Sequence, residues 1–188
     1  MRSLNRSHIL QYLLETYFDG DARKLADTTG YTMQQINNWV QNVHEPRAST
    51  LEWIIHCALA PEFNIIVEFA PFEPSDNSTC RRQQIENILA LNRDRRGIYA
   101  LYDSTASLIY IGKTDNNLLD EIDQSLKQRM NSNFDVGRWS IVRYISAYHV
   151  GGTPTFDYPQ HVESLMLRIS RPRLNTKIGK LMPLPREE

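Results

Sequence analysis

GIYALYDSTASLIYIGK, residues 97–113, sets two short apolar runs rich in β-branched and aromatic side chains around the polar tetrapeptide Asp103-Ser104-Thr105-Ala106. Runs of this kind at 97–102 and 108–111, separated by turn-forming residues, predict a β-hairpin. With Ser104 and Thr105 as the turn, Tyr99 stands opposite Tyr110 and both phenols share one face of the sheet. The turn lacks the Asn-Gly or Gly-Gly pair that tight hairpins prefer, and a slip of one residue would send the two phenols to opposite faces.

The tripeptides Gly97-Ile98-Tyr99 and Tyr110-Ile111-Gly112 resemble the signature of the GIY-YIG nuclease family, whose members hydrolyse DNA phosphodiester bonds with a divalent metal. Lys113, Arg129 on a predicted helix, Glu163 near the start of an apolar helix and Asn175 beyond Pro172 follow in the family's order. The resemblance covers residues 95–180. It implies Tyr99 as general base, Tyr110 as a relaying or orienting phenol, and Lys113 and Arg129 as neutralisers of phosphate charge. It further implies Glu163 as the ligand of Mg²⁺ (or Mn²⁺) and Asn175 as a holder of the phosphate or of a neighbouring side chain. Two departures stand out. Arg129 lies nineteen residues past Tyr110, farther than in compact members, which an insertion through 120–123 would explain. Four positions past that Arg, where the family often has His or Tyr, this chain has Asn133, so the helper role is either unfilled or filled by Phe134, His149 or another residue.

The implied chemistry suits those residue types. In phosphodiester hydrolysis a water loses a proton as it attacks, and charge grows on the phosphoryl oxygens and the leaving oxygen. A hard cation held by one carboxylate and waters can bridge phosphate oxygens, and Arg suits a forked contact. A free phenol titrates near ~10, so a phenolic base needs nearby positive charge to act at neutral pH.

The 188-residue chain carries a net charge of −1, but unevenly. Residues 1–80 hold five Lys and Arg against ten acids, and the remainder sixteen against twelve. That asymmetry assigns phosphate binding to the C-terminal part and leaves an acidic N-terminal part that suits a protein partner. No apolar run reaches the ~20 residues of a membrane span, the N-terminus lacks a signal-peptide core, and Cys57 and Cys80 fit no metal-ligand spacing. A cytoplasmic protein without a membrane partner is expected.

Apolar spacing predicts helices over 4–18, 21–26 and 33–43, with a fourth from Ser49 or Thr50 to near Pro61. Leu25, Ala26, Gly30, Thr32, Ile36, Trp39, Pro46, Leu51, Ile55 and Leu59 together are similar to the helix-turn-helix domain of phage repressors. In that resemblance the third helix reads DNA through Gln34, Gln35, Asn37 and Asn38, with Gln41 and Asn42 beside them. Gln and Asn can pair bidentately with adenine, although the helix has no Lys or Arg for phosphates. Ile65 to Phe69 could form a short strand. Residues 71–93 read as a linker and a connecting helix, with Arg81 and Arg82, and with Arg95 and Arg96 beyond, as candidate DNA-backbone contacts. Residues 94–188 read β-β-α-β-α, with a helix over 118–130, a strand over 139–149 and a helix over 159–170.

The expected class is therefore α+β. An all-α helix-turn-helix domain (1–70) leads through the connecting segment to a GIY-YIG domain (94–188) with a three-stranded antiparallel sheet flanked by helices. The expected function is metal-dependent DNA cleavage, with a DNA-binding regulator or adaptor as the alternative. Cutting both strands with one small site would favour a homodimer.

Overall fold

A computed structural model describes residues 5–59, 63–130, 136–151 and 158–179. Their regular elements are α1 (Arg6–Tyr17), α2 (Ala22–Thr29), α3 (Met33–Val40), α4 (Ala48–Leu59), β1 (Phe63–Pro71), α5 (Ser78–Leu89), β2 (Gly97–Tyr102), β3 (Leu108–Thr114), α6 (Leu118–Lys127), β4 (Tyr144–Val150) and α7 (Tyr158–Ser170). The class is α+β. Its sheet is antiparallel and four-stranded rather than three-stranded, in the order β1-β4-β2-β3. The added strand is β1, which pairs along β4. Residues 63–70, expected in the helical domain, therefore belong to the sheet.

Side chains that compete for backbone groups set most helix starts. Asn5, Asp21, Asn77 and Asn117 each accept from first-turn N–H groups of α1, α2, α5 and α6, and Thr32 and Gln35 form a reciprocal capping box on α3. Gly30, at φ 79°, closes α2 in the left-handed conformation. The third helix ends at Val40, short of the expected 43. Asn42 turns to φ 57°, and Val43, expected inward, is 58% exposed.

The two sheet faces are covered differently. Ile98 and Val150 face α7 and share a core with Val162, Leu165 and Ile169, and this core continues into Leu10, Leu13, Ile54 and Ile55 of α1 and α4. Tyr99, Leu101, Ile145 and Ala147 face the other way, onto Ile85 and Leu89 of α5 and Leu118, Ile122 and Leu126 of α6. The helical module is thus continuous with the sheet's α7 side rather than hung from a linker. The segment read as linker and connecting helix supplies α5, a core helix of the opposite side.

The hairpin register differs from the expected one in an informative way. Asp103 N–H donates to the Ser107 carbonyl, which leaves a three-residue loop with Ala106 left-handed at φ 58°. Asp103 Oδ1 accepts from the backbone of Thr105 and Ser107 and holds that loop closed. A second irregularity lies in the ladder, where Tyr102 pairs with Leu108 but Leu101 pairs with Tyr110, making Ile109 an extra residue. Each irregularity alone would put the tyrosines on opposite faces, and together they restore a common face. Tyr99 now pairs with Gly112 instead of Tyr110.

Two boundaries also moved. The helix expected over 118–130 stops at Lys127, because Gln128 adopts an extended conformation at ψ 138°. The strand expected over 139–149 begins at Tyr144, after a 3-10 turn at Arg138–Ser140.

Candidate active site at the tyrosine pair

The glycines of the two tripeptides are required by close approach. A Cβ on Gly97 would lie 1.9 Å from the Tyr148 carbonyl oxygen of β4, and one on Gly112 would lie 2.4 Å from both Cζ and Oη of Tyr99. Gly112 therefore lets the Tyr99 ring cross β3. The Tyr99 and Tyr110 ring centroids are 6.1 Å apart and tilted by 43°.

The two phenols differ in environment. Tyr99 is fully buried, and its hydroxyl sits among Tyr110, Ser125 and Glu121 without a hydrogen bond of good geometry. Burial, with Tyr110 adding, raises its pKa well above the ordinary phenol value. Tyr110 is only half-buried. Tyr110 is thus the less buried phenol of the pair, whereas the resemblance assigns the proton-accepting role to Tyr99.

A cation outside the expected set lies over Tyr110. Arg129 lies past the end of α6, exposed, and bridges to Gly137. That bridge turns the chain back so that Arg138 N–H reaches the Gln128 carbonyl at 2.9 Å. Arg138 then lays its guanidinium over the Tyr110 ring at 4.1 Å and donates to Ser125 Oγ at 3.1 Å. Its Nε is buried with no partner among the described residues. Stacking of this kind suits Arg's planar cation.

Glu121 and Ser125, four residues apart on α6, complete the tyrosine side of the site. Burial raises the Glu121 carboxyl, while Tyr99 and Lys113 oppose that shift. Both residues continue the stripe of Leu118 and Ile122, so polar residues on an inward helical face were the signal available in the sequence. Arg138 had no such signal, since its approach depends on the chain return at Gly137.

The remaining candidates are spread around β3, the edge strand. Lys113 Nζ contacts both carboxylate oxygens of Asp115, at 3.1 and 2.9 Å. Across the hairpin it pairs with Ile98, whose side chain is in the α7-side core. Asn175 uses its side chain on the outer edge of the sheet: Oδ1 accepts from Ile111 N–H at 2.9 Å and Nδ2 donates to the Ile111 carbonyl at 2.7 Å. With Leu174 N–H bonded to the Ile109 carbonyl, it clips the segment after α7 to β3. Glu163 is half-buried on α7, the helix on the other sheet face, which packs chiefly against β3. His149 lies opposite Gly97, its Nδ1 2.9 Å from the Arg96 carbonyl. Asn133 and Phe134 lie outside the described residues.

Among the described residues no three His, Cys, Asp or Glu side chains gather into a metal cage. Mg²⁺ needs none, since it keeps several waters and takes one or two carboxylates plus substrate phosphate. Glu163, a half-buried carboxylate, is the kind of single donor such a site uses, and it lies on the α7 side of the sheet rather than beside Glu121.

The expected DNA contacts divide sharply. Arg81 is 3% exposed, bonded to Asp123 at 3.2 Å and to the Ser75 carbonyl at 3.0 Å. It is a buried structural residue with no surface to offer a phosphate. Arg82 is exposed and paired with Asp120 at 2.7 Å, Arg95 is exposed, and Arg96 donates to the Val150 carbonyl. On α3, Gln34 and Asn37 are exposed, Asn38 is half-buried and Gln35 is engaged in the capping box. This helix belongs to the layer on the α7 side of the sheet, the face opposite the tyrosine pair.

No family model matches the chain, and no curated protein or solved structure matches it. Among the described residues no helix is long and apolar enough to cross a membrane.

Proposed function

We propose that the chain is a metal-dependent phosphodiester hydrolase acting on DNA, with the helical module helping to hold the substrate. The observation that carries this reading is the tyrosine pair on the edge hairpin, with Arg138 stacked on Tyr110. A half-buried phenol beside a fixed guanidinium supplies a proton acceptor and a phosphate-oxygen donor at one point. Lys113, at the end of the same strand, adds positive charge. Tyr99 serves as the packed support on which Tyr110 rests.

Glu163 would hold a Mg²⁺ or Mn²⁺ ion, which when bound neutralises phosphoryl charge and acidifies water. The protein's own part is to orient Tyr110 through Tyr99, Ser125 and Arg138, and to deliver the guanidinium to the phosphate.

The test is incubation of supercoiled plasmid with the protein and Mg²⁺ or Mn²⁺, beside Glu163→Gln and a chelator control. Nicking or linearisation that disappears in both controls supports hydrolysis. A second reading, a DNA-binding regulator that does not cut, is favoured by the sealing of the Tyr99 phenol. It predicts DNA retention without cleavage in every arm.

A further inference from the structure

A separate cleft of about 300 Å³ opens between α4, β1, β4 and α7, away from the tyrosine pair. One wall is a run of touching rings. Trp53 stacks on His56 with centroids 5.7 Å apart, His56 meets Phe63 edge-on at 5.4 Å, and Phe63 stacks on Tyr148 at 5.3 Å. The Trp53 indole N–H donates to the Thr29 carbonyl at 2.9 Å, which fixes the ring while leaving it 47% exposed.

Two carboxylates, Glu52 and Glu68, line the same cleft. Glu52 accepts from the Ser170 hydroxyl at 3.1 Å, and Glu68 accepts from the Tyr148 phenol at 3.2 Å. Neither has an ion-pair partner among the described residues. They also act against each other: burial first, and to a smaller extent Glu68, raises the Glu52 carboxyl, while the Ser170 hydrogen bond and the charge of Arg6 oppose the shift. A half-buried acid facing a like charge is a costly arrangement that a bound cation relieves. Aromatic faces attract such a cation and accept its hydrocarbon stem.

We propose that this cleft binds a small aliphatic amine of the diamine or polyamine class, its ammonium between Glu52 and Glu68 and its methylenes along the aromatic wall. The volume suits a small molecule, being at the low end of ligand pockets. The site is independent of the nuclease reading, since it shares no residue with the tyrosine pair and lies on the other side of the sheet.

Fluorescence titration of the full chain with 1,4-diaminobutane tests it, with butylammonium and 1-butanol as probes and ionic strength held constant with KCl. The expected result is a saturable signal with both amines and none with butanol. The signal should be lost in Trp53→Phe, and Glu68→Gln should raise the dissociation constant by about tenfold. Glu52→Gln should act in the same direction. Glu68 is exposed, so its variant reports even where Glu52→Gln fails to fold. Equal binding of butanol, no saturation with either amine, or unchanged affinity in Glu68→Gln would overturn the proposal. Binding by a lysine-containing peptide but by neither free amine would also overturn it, by transferring the site to a protein partner.

Discussion

Tyr99 and Gly112 face each other directly across the β2–β3 ladder, and the Tyr99 ring occupies the space that any side chain at 112 would need. The hairpin is built around that pair, because the ring that crosses Gly112 is the one on which Tyr110 rests. Replacing Gly112 with Ala forces either the ring or the strand to move. We expect a loss of about 1–3 kcal/mol in urea unfolding, together with loss of plasmid cleavage. A Gly112→Ala protein with the parent's midpoint would show that the ring is not constrained there.

The two phenols should respond unequally to loss of the hydroxyl. Tyr99 Oη is buried without a well-formed hydrogen bond, so Tyr99→Phe removes a desolvation cost and should leave stability unchanged or slightly raised. Tyr110→Phe removes the half-buried phenol and should lower the cleavage rate by on the order of a hundredfold. Single-turnover rates of both variants, measured beside their melting curves, separate support from chemistry. Equal losses would return the proton-accepting role to Tyr99.

The two arginines should separate as well. Arg138→Lys keeps the charge but loses the stacking and the forked donors, and should slow cleavage by on the order of a hundredfold. Arg129→Lys, exposed beyond the helix end, should retain most activity. The reverse ranking would restore Arg129 as the site's cation.

Arg81 and Asp123 form a buried pair, both side chains at most 6% exposed, with Lys127 as a second partner of Asp123. Removing Arg81 leaves the buried Asp123 carboxylate with only the half-exposed Lys127 and the Ser75 carbonyl without its donor, so Arg81→Ala should cost roughly 3 kcal/mol. Arg82→Ala, at an exposed pair with Asp120, should cost at most about 1 kcal/mol. Urea unfolding of the two variants checks the contrast.

Acid should weaken the contact between the helical module and the sheet. His161 on α7 is buried against Tyr12 and Tyr17 of α1, at ring-centroid distances of 6.3 and 6.2 Å. Burial, with Arg168 adding, lowers its pKa from 6.5 to about 4. The folded state therefore refuses a proton that the unfolded chain accepts. Above pH 6.5 the group contributes no pH dependence. As pH falls from 6.5 toward 4, it destabilises the fold by a total of roughly 3 kcal/mol, and below 4 the effect levels off. Unfolding midpoints measured across this window should slope in the parent chain and flatten in His161→Phe.

Much of the architecture was readable because it depends on local chemistry. Apolar stripes at helical spacing predicted α1 to α4, and the β-branched and aromatic run at 97–102 predicted β2 with its observed ends. The misses share a cause, which is that partners far away in the chain decided them. Phe63 to Pro71 became a full strand because β4 offers it an edge. Arg81 reads as a surface cation until Asp123, forty-two residues on, is packed against it. The α6 end looked helical to residue 130, but the helix stops at Lys127, Arg129 bridges to Gly137, and Arg138 comes to lie over Tyr110.

By itself, then, the sequence determined the element order β-β-α-β-α after residue 94 and the presence of two glycine-flanked tyrosines on paired strands, since propensity, capping and periodicity act over a few residues. Only the tertiary structure decided which residues the tyrosines meet. A left-handed Ala106 and an extra Ile109 each move the register by one, and their sum keeps both rings on the face where α6 and the returning Arg138 wait. Which face a strand residue occupies, and which charge is buried beside it, is settled by packing between distant segments, whose cost and gain no short window of sequence contains.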